Sequence, residues 1–370
     1  MKKVGIVSCN IHCNFTNYGS ALQSWALSRV LSKLSCVPIL VDYCPKVLEN
    51  VDTLNPFNVM WDKDEESRRM CELTLPAIRE NYQKFDSFYT QQFNRTQKMY
   101  NRLNFNEIMK DEKLDGFVCG SDTIFCVDEF GIDDGYYANY ECMRGKSISY
   151  AASFGDSHFT SEMYKELDVR LGNFKALGIR EKGMLSYIQS RVNVPADKVL
   201  DPTLLLSASE YETIVSRDET VPSEPYLLMY SRRYNPRMEA YAINLAQKNN
   251  WKIVEISLRA TNAEKGHIMR YDAGVEEFLA LTKRAQYIVT NSFHSMIFAV
   301  QFQRPFVVFS REQCDTKIDE LLELFGLENR KFSIGEEKDD GVIDYNQVCS
   351  RINEVRNQSF LFLRNALELL

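Results

Sequence analysis

The segment Thr290-Asn291-Ser292-Phe293-His294-Ser295 leaves the apolar run YIVT and opens a stretch of helical spacing. Free N–H groups at a helix start, together with the helix dipole, favour an anion there. An imidazole in the first turn adds a hydrogen-bond donor, or a proton for general acid catalysis. The competing reading makes Asn291 or Ser292 an N-cap and leaves His294 as packing. Arg180 follows the apolar run ALGI, where a chain leaves a sheet. A guanidinium in that place suits a two-pronged grip on carboxylate or phosphate, and a salt bridge to Glu181 or Asp201 would equally explain it. Asp122, after Gly120-Ser121, reads as a general base or as the cap of a turn.

Asn17-Tyr18-Gly19-Ser20 offers a close-approach loop, since Gly19 lets a ligand near the backbone. With one glycine and no following lysine it is a poor phosphate loop. Ser153 ends another apolar run, and Ser231-Arg232-Arg233 a further one. Arg232, Arg233 and Arg237 form either a cationic rim or a solvated face. His12 lies in the first loop, where it could act as a second ligand, whereas His158 and His267 read as ordinary surface or loop residues. Ten cysteines are scattered without a CxxC pair, and there are four histidines, so no metal site is expected. The cysteines read as reduced thiols, several of them buried.

These polar clusters share one setting, the ends of short apolar runs that alternate with amphipathic stretches. Strands are expected at Val4–Ser8, Val37–Val41, Gly116–Cys119, Lys146–Ala151, Ala176–Ile179 and Lys198–Leu200, then at Tyr226–Tyr230, Lys252–Ile256, Tyr287–Thr290 and Phe306–Phe309. Helical spacing covers Ala21–Leu34, 160–175, 183–190, 236–249, Val275–Arg284 and 293–303. Alternating strands and helices predict parallel sheets covered on both faces, with ligands at the carboxyl ends of the strands. The chain therefore reads as two Rossmann-like α/β domains facing each other across a cleft, residues 1–205 and 206–370. A polar, aromatic insertion at about 46–112 carries helical stretches at 63–71 and 76–93. A helix over 345–370, apolar at Val348, Ile352, Val355, Leu361, Leu363 and Leu367, is expected to bridge the domains.

Composition narrows the partners. The 370 residues carry a net charge of −7, which argues against a general nucleic-acid binder. No run reaches the roughly 18–20 apolar residues that span a bilayer, and the apolar stretch at the N-terminus is too short for a signal peptide. A cytoplasmic protein is expected, with the inner membrane face as a further station.

Taken together, GIVSCNIHCNFTNYGSALQSWAL, FVCGSD, ISYAASFG, LGIREKGM, VLDPTLLL and YIVTNSFHSMIFAVQFQRPFVVF resemble the polysaccharide pyruvyl transferases, in the same order over most of the chain. The resemblance implies a GT-B-like pair of domains, with 1–205 on the acceptor side and 206–370 on the donor side. It also implies transfer of the pyruvyl group of phosphoenolpyruvate to a sugar of a surface polysaccharide or its lipid-linked precursor, as a pyruvate ketal. Arg180 matches the family's donor-gripping arginine and His294 its catalytic histidine, with Asp122 in another family signature. Asn291, Ser292, Ser231 and Arg232 are then expected near the donor, and Asn17, Tyr18, Gly19 and Ser153 near the acceptor. Phosphoenolpyruvate enters as co-substrate, with no cofactor. A glycan or lipid-linked oligosaccharide is the expected partner; membrane contact through that acceptor and homo-oligomers are both open. Many members carry Arg two residues before the histidine, where this chain has Ser292, so Arg232, Arg233 or Arg311 is expected to replace its charge. A nucleotide-sugar glycosyltransferase and a non-catalytic family member are the alternative readings.

Overall fold

The computed structural model describes residues 1–55, 65–216, 221–311, 314–332 and 341–370. Its first sheet has six parallel strands in the order β2-β1-β3-β4-β5-β6. They are β1 (Lys3–Val7), β2 (Val37–Leu40), β3 (Gly116–Cys119), β4 (Ser147–Ala152), β5 (Phe174–Ile179) and β6 (Ala196–Lys198). The second sheet has five parallel strands in the order β11-β10-β7-β8-β9. These are β7 (Tyr226–Tyr230), β8 (Lys252–Ile256), β9 (Ile268–Met269), β10 (Tyr287–Thr290) and β11 (Phe306–Val308). Their continuous Val, Ile, Leu and Tyr runs follow from burial on both faces. Strand order reverses between β1 and β3 in the first sheet and between β7 and β10 in the second. The loops that follow these four strands therefore open where such sheets take ligands.

The helices are α1 (Tyr18–Lys33), α2 (Glu65–Gln92), α3 (Ser161–Leu171), α4 (Lys182–Arg191), α5 (Pro236–Asn249), α6 (Val275–Arg284), α7 (Phe293–Gln301), α8 (Asp315–Phe325) and α9 (Tyr345–Glu368), besides shorter turns. α1 is unusual in that every residue from Tyr18 to Leu27 is buried. It is covered by the first sheet on one side and by α6 and α7 on the other. The Tyr18 ring stacks on Phe278 at 4.4 Å and Trp25 meets Tyr211 at 5.4 Å. One apolar cluster consequently runs from Val4 and Ile6 through α1 to Leu228, Val254 and Ile288. α9 returns to the first half: its Ser359 hydroxyl accepts the Leu200 N–H at 3.0 Å, and Arg356 Nε donates to the Leu204 carbonyl at 2.7 Å.

Several boundaries differ from expectation. The insertion forms one helix through Pro76 rather than two, residues 63 and 64 of the expected stretch lying outside the described residues. α3 ends at Leu171 because Gly172 caps it, and Phe174 already belongs to β5. The last strand of the first sheet is Ala196–Lys198, two residues earlier than the expected Lys198–Leu200. Leu361 of α9 faces solvent, while Ser359 is buried in its stead. β9 and α8 were absent from the sequence reading altogether.

Candidate active site

The polar residues at the strand ends meet around Asp201, which is 2 % exposed. Asp201 follows β6 and caps the turn at Pro202, its Oδ1 accepting the Thr203 N–H at 2.9 Å. Its other oxygen, Oδ2, lies 2.6 Å from Arg180 Nη2 and 3.3 Å from His294 Nε2. Burial alone would raise this carboxyl; the Arg180 guanidinium and the His294 imidazole outweigh burial and hold it well below the usual carboxylate range. Arg180 and His294, 114 positions apart in the chain, thus converge on one anion.

Arg180 leaves the end of β5 and is buried against the Phe293 ring, 5.0 Å from its centroid. Nη2 also donates to Ser121 Oγ at 2.6 Å. Nε and Nη1 are buried and have no hydrogen-bond partner among the described residues. Two buried guanidinium donors without partners cost free energy in the empty protein, and they leave N–H groups on two sides of Arg180 for an incoming anion. His294 sits in the first turn of α7. Its imidazole fills the space above Gly19, where a Cβ would come within 2.0 Å of Nδ1. The absence of a side chain at Gly19 therefore admits the close approach of His294.

Asp122 is buried between the halves, and Ser20 Oγ of α1 donates to its Oδ2 at 2.7 Å. Burial raises its pKa, but the positive field of His294, Lys317 and Arg180 more than cancels that and keeps it ionised. Glu181 is the opposite case. Burial lifts its pKa, and Arg180, Ser153, Lys317 and the Phe154 N–H only partly pull it back. The Ser153 hydroxyl is hydrogen-bonded to Glu181 Oε1, and the Phe154 N–H donates to Oε2 at 3.3 Å.

Beside this cluster opens a cavity of about 600 Å³, lined by Arg180, Glu181, Asp201, Phe293 and Lys317, with the aliphatic residues of α8 and α9 forming its far wall. Lys317 on α8 is buried, and no ion pair to it occurs among the described residues; its Nζ is 5.7 Å from the Phe293 ring. It places a cation at the cavity wall. Of the three arginines expected in that role, none lines the cavity. Arg232 lies over the Phe15 ring at 4.0 Å, in a small separate pocket with Thr16, Tyr18 and Tyr271. Arg233 is exposed, and Arg311 turns to Cys314 Sγ.

The remaining expected residues support this centre without facing the cavity. Asn291 spends its amide on backbone, accepting the Arg232 N–H at 2.8 Å and donating to the Arg233 carbonyl at 2.7 Å. Ser292 is the N-cap of α7, accepting the Ser295 N–H at 3.4 Å. Ser231 donates to the Arg233 carbonyl at 2.7 Å. Asn17 caps α1 through the Gly19 N–H at 3.0 Å, and the Tyr18 hydroxyl donates to the Ala273 carbonyl at 2.7 Å. His12 Nε2 is 2.6 Å from Asp42, a contact that ties the first loop to Arg95 through the same carboxylate. His158 is exposed as expected. His267 is not: it is buried, 2.6 Å from the equally buried Glu255. Among the described residues no cluster of three His, Cys, Asp or Glu side chains could hold a metal.

The sequence reading named Asp201 and Glu181 only as partners of Arg180, and it did not single out Lys317 or Gln23. Gln23 Oε1 accepts the Ser121 N–H at 3.0 Å, while its Nε2 donates to Ser8 Oγ and the Ser20 carbonyl, each at 2.9 Å. The strand-end rule reaches Asp201 and Glu181, whereas Lys317 needs α8, whose Ile318, Leu321, Leu322 and Phe325 do carry helical spacing.

The fold is two Rossmann-like α/β units in a GT-B-like arrangement, and solved structures resemble it over nearly their full length. S. aureus MnaA with UDP shares 16 % identity over 98 % of this chain and 90 % of its own, with a TM-score of 0.51. A Listeria monocytogenes protein assigned as a UDP-N-acetylglucosamine 2-epimerase shares 12 % over 98 % and 91 %, with a TM-score of 0.50. At such identities the likeness is one of fold. No curated protein matches the sequence. The family model for polysaccharide pyruvyl transferase matches residues 17–313, a span that holds Arg180, Asp201, Asp122 and His294, and the chain belongs to that family.

Proposed function

We propose that this protein moves the pyruvyl group of phosphoenolpyruvate onto two hydroxyls of a glycan or its lipid-linked precursor, forming a pyruvate ketal. The observation that carries the reading is the pair of buried, partnerless donors on Arg180, which lines one cavity with Lys317 and shares Asp201 with His294. Phosphoenolpyruvate is a small anion with a carboxylate and a phosphate, and three cationic or proton-bearing groups match it better than they match a neutral sugar. In this reading Arg180 holds one anionic group through its unpartnered N–H groups and Lys317 neutralises the other. His294, held by Asp201, protonates the departing phosphate, and ionised Asp122 takes the proton of an attacking hydroxyl. The cavity is several times larger than the donor needs, which leaves space for a sugar ring. No helix among the described residues is long and apolar enough to cross a membrane, so a lipid-linked acceptor would be met at the bilayer surface.

The test is thermal stabilisation by phosphoenolpyruvate against UDP- and GDP-sugars. A ligand at about a hundredfold its Kd stabilises by about 2.7 kcal/mol. Phosphoenolpyruvate is expected to raise the melting temperature of the parent and to lose the effect in Arg180→Ala. In Arg180→Lys, which keeps the charge but not the fork, most of it is lost as well. Stabilisation by a nucleotide sugar alone would replace this reading with a glycosyltransferase.

A further inference from the structure

Ketal formation moves two protons, and the pyruvyl-transfer reading, on which this inference rests, accounts for the delivery of only one. Each of the two sugar hydroxyls loses a proton. One proton must reach the methylene carbon of the donor, which becomes the methyl group, and one must reach the departing phosphate. His294 against Asp201 serves the phosphate, and a second acid is required for carbon. We propose that Glu181 is that acid, protonating C3 of the enolpyruvyl donor and recovering its proton from the second hydroxyl.

Three observations single it out. Glu181 lines the cavity directly beside Arg180, so it borders the place where the donor's carboxylate or phosphate would be held. It is 4 % exposed, and its hydrogen-bond partners are the neutral Ser153 hydroxyl and the Phe154 N–H. The other carboxylates of the cavity are differently placed: Glu323 pairs with Lys182 and Glu320 with Lys198, while Glu354 is exposed. The charged groups facing Glu181 are Arg180 beside it and Lys317 from α8. Against both of them burial still lifts its pKa, whereas Asp122 and Asp201 are pushed the other way. Carboxyl groups driven apart in this manner divide into acid and base. Ser153 Oγ also accepts the Gly155 N–H at 3.2 Å, so this hydroxyl is fixed against Glu181.

The sequence balances. The C2–C3 π pair takes the proton of Glu181, leaving C2 cationic. The first hydroxyl oxygen adds to C2 and its proton passes to Asp122. The C2–O bond to phosphate breaks, the phosphate oxygen taking a proton from His294. The second hydroxyl adds to C2 and reprotonates Glu181, and Asp122 returns its proton to His294 through solvent.

The experiment compares the parent chain with Glu181→Gln, Glu181→Asp and Ser153→Ala. It measures phosphoenolpyruvate-induced thermal stabilisation, formation of the pyruvylated product on a panel of lipid-linked glycans by mass, and the pH–rate profile. Glu181→Gln is expected to keep the thermal stabilisation and lose about 10²–10⁴-fold in turnover, the range for a lost general acid. Glu181→Asp recovers part of the rate. Ser153→Ala, lacking a donor that favours the ionised form, moves the basic limb of the profile to higher pH. A parent that neither binds phosphoenolpyruvate nor transfers its pyruvyl group sinks the pyruvyl reading and this assignment together. A parent that transfers, beside a Glu181→Gln protein of undiminished turnover, sinks Glu181 alone. Should Glu181→Gln fail to fold, a basic limb unmoved in both Glu181→Asp and Ser153→Ala overturns the assignment.

Discussion

Asp201 is where the charges of the site are balanced, and its titration has a direction. Its pKa in the folded protein lies below the ordinary aspartate value, so the ionised form stabilises the fold above about pH 4, and that contribution disappears as the pH falls through the lower folded value. Asp201→Asn leaves Arg180 buried without its counter-charge, a loss of about 3–5 kcal/mol at pH 7. Urea midpoints between pH 7 and pH 3 should show the variant less stable at neutrality and less sensitive to acid than the parent; equal slopes would remove Asp201 from that role. Arg180 and His294 were legible in the sequence because each follows closely on an apolar strand, while their shared contact was not. Nothing in the spacing of Arg180 and His294 says that both turn to Asp201, since that depends on how the two sheets are docked.

Among the elements, α1 and α7 meet end to side at Gly19 and His294. Adding a methyl at Gly19 sets a Cβ where the imidazole now lies, and His294 must move. Gly19→Ala is expected to keep its fold and lose about 10²-fold in turnover, the scale of a displacement near 1 Å. Steady-state kinetics on the pyruvylation reaction checks this, and an unchanged kcat would show that the imidazole position is immaterial. Strand positions followed from unbroken Val, Ile and Leu runs, and β3, β7, β8 and β10 have the expected limits. The edges were harder. The expected break near Pro76 does not occur, because α2 packs against α1 and α6 and tertiary contact overrides the local cost of proline. α8 went unread although its apolar spacing is regular, and with it went Lys317, which lines the cavity where none of the three expected arginines does.

At the scale of the molecule, the two sheets share one apolar cluster, and each also has a smaller cluster of its own. Thermal unfolding should therefore appear as a single cooperative transition by calorimetry, with calorimetric and van't Hoff enthalpies in agreement. Two resolved transitions would mean that the halves hold themselves up independently. The pairing of α/β units was readable from alternation alone, but the shared core was not, because amphipathic spacing reports that a face is covered and not what covers it. α1 illustrates the point: residues 18–27 have no solvent face, being wedged between the first sheet and helices of the second. A clamshell motion would have to tear that helix from one of its two beds and wet its flanks. Substrate traffic is thus left to the rim of the cavity, where the long side chains of Lys182, Arg351, Glu354 and Gln358 can swing aside while both sheets stay put.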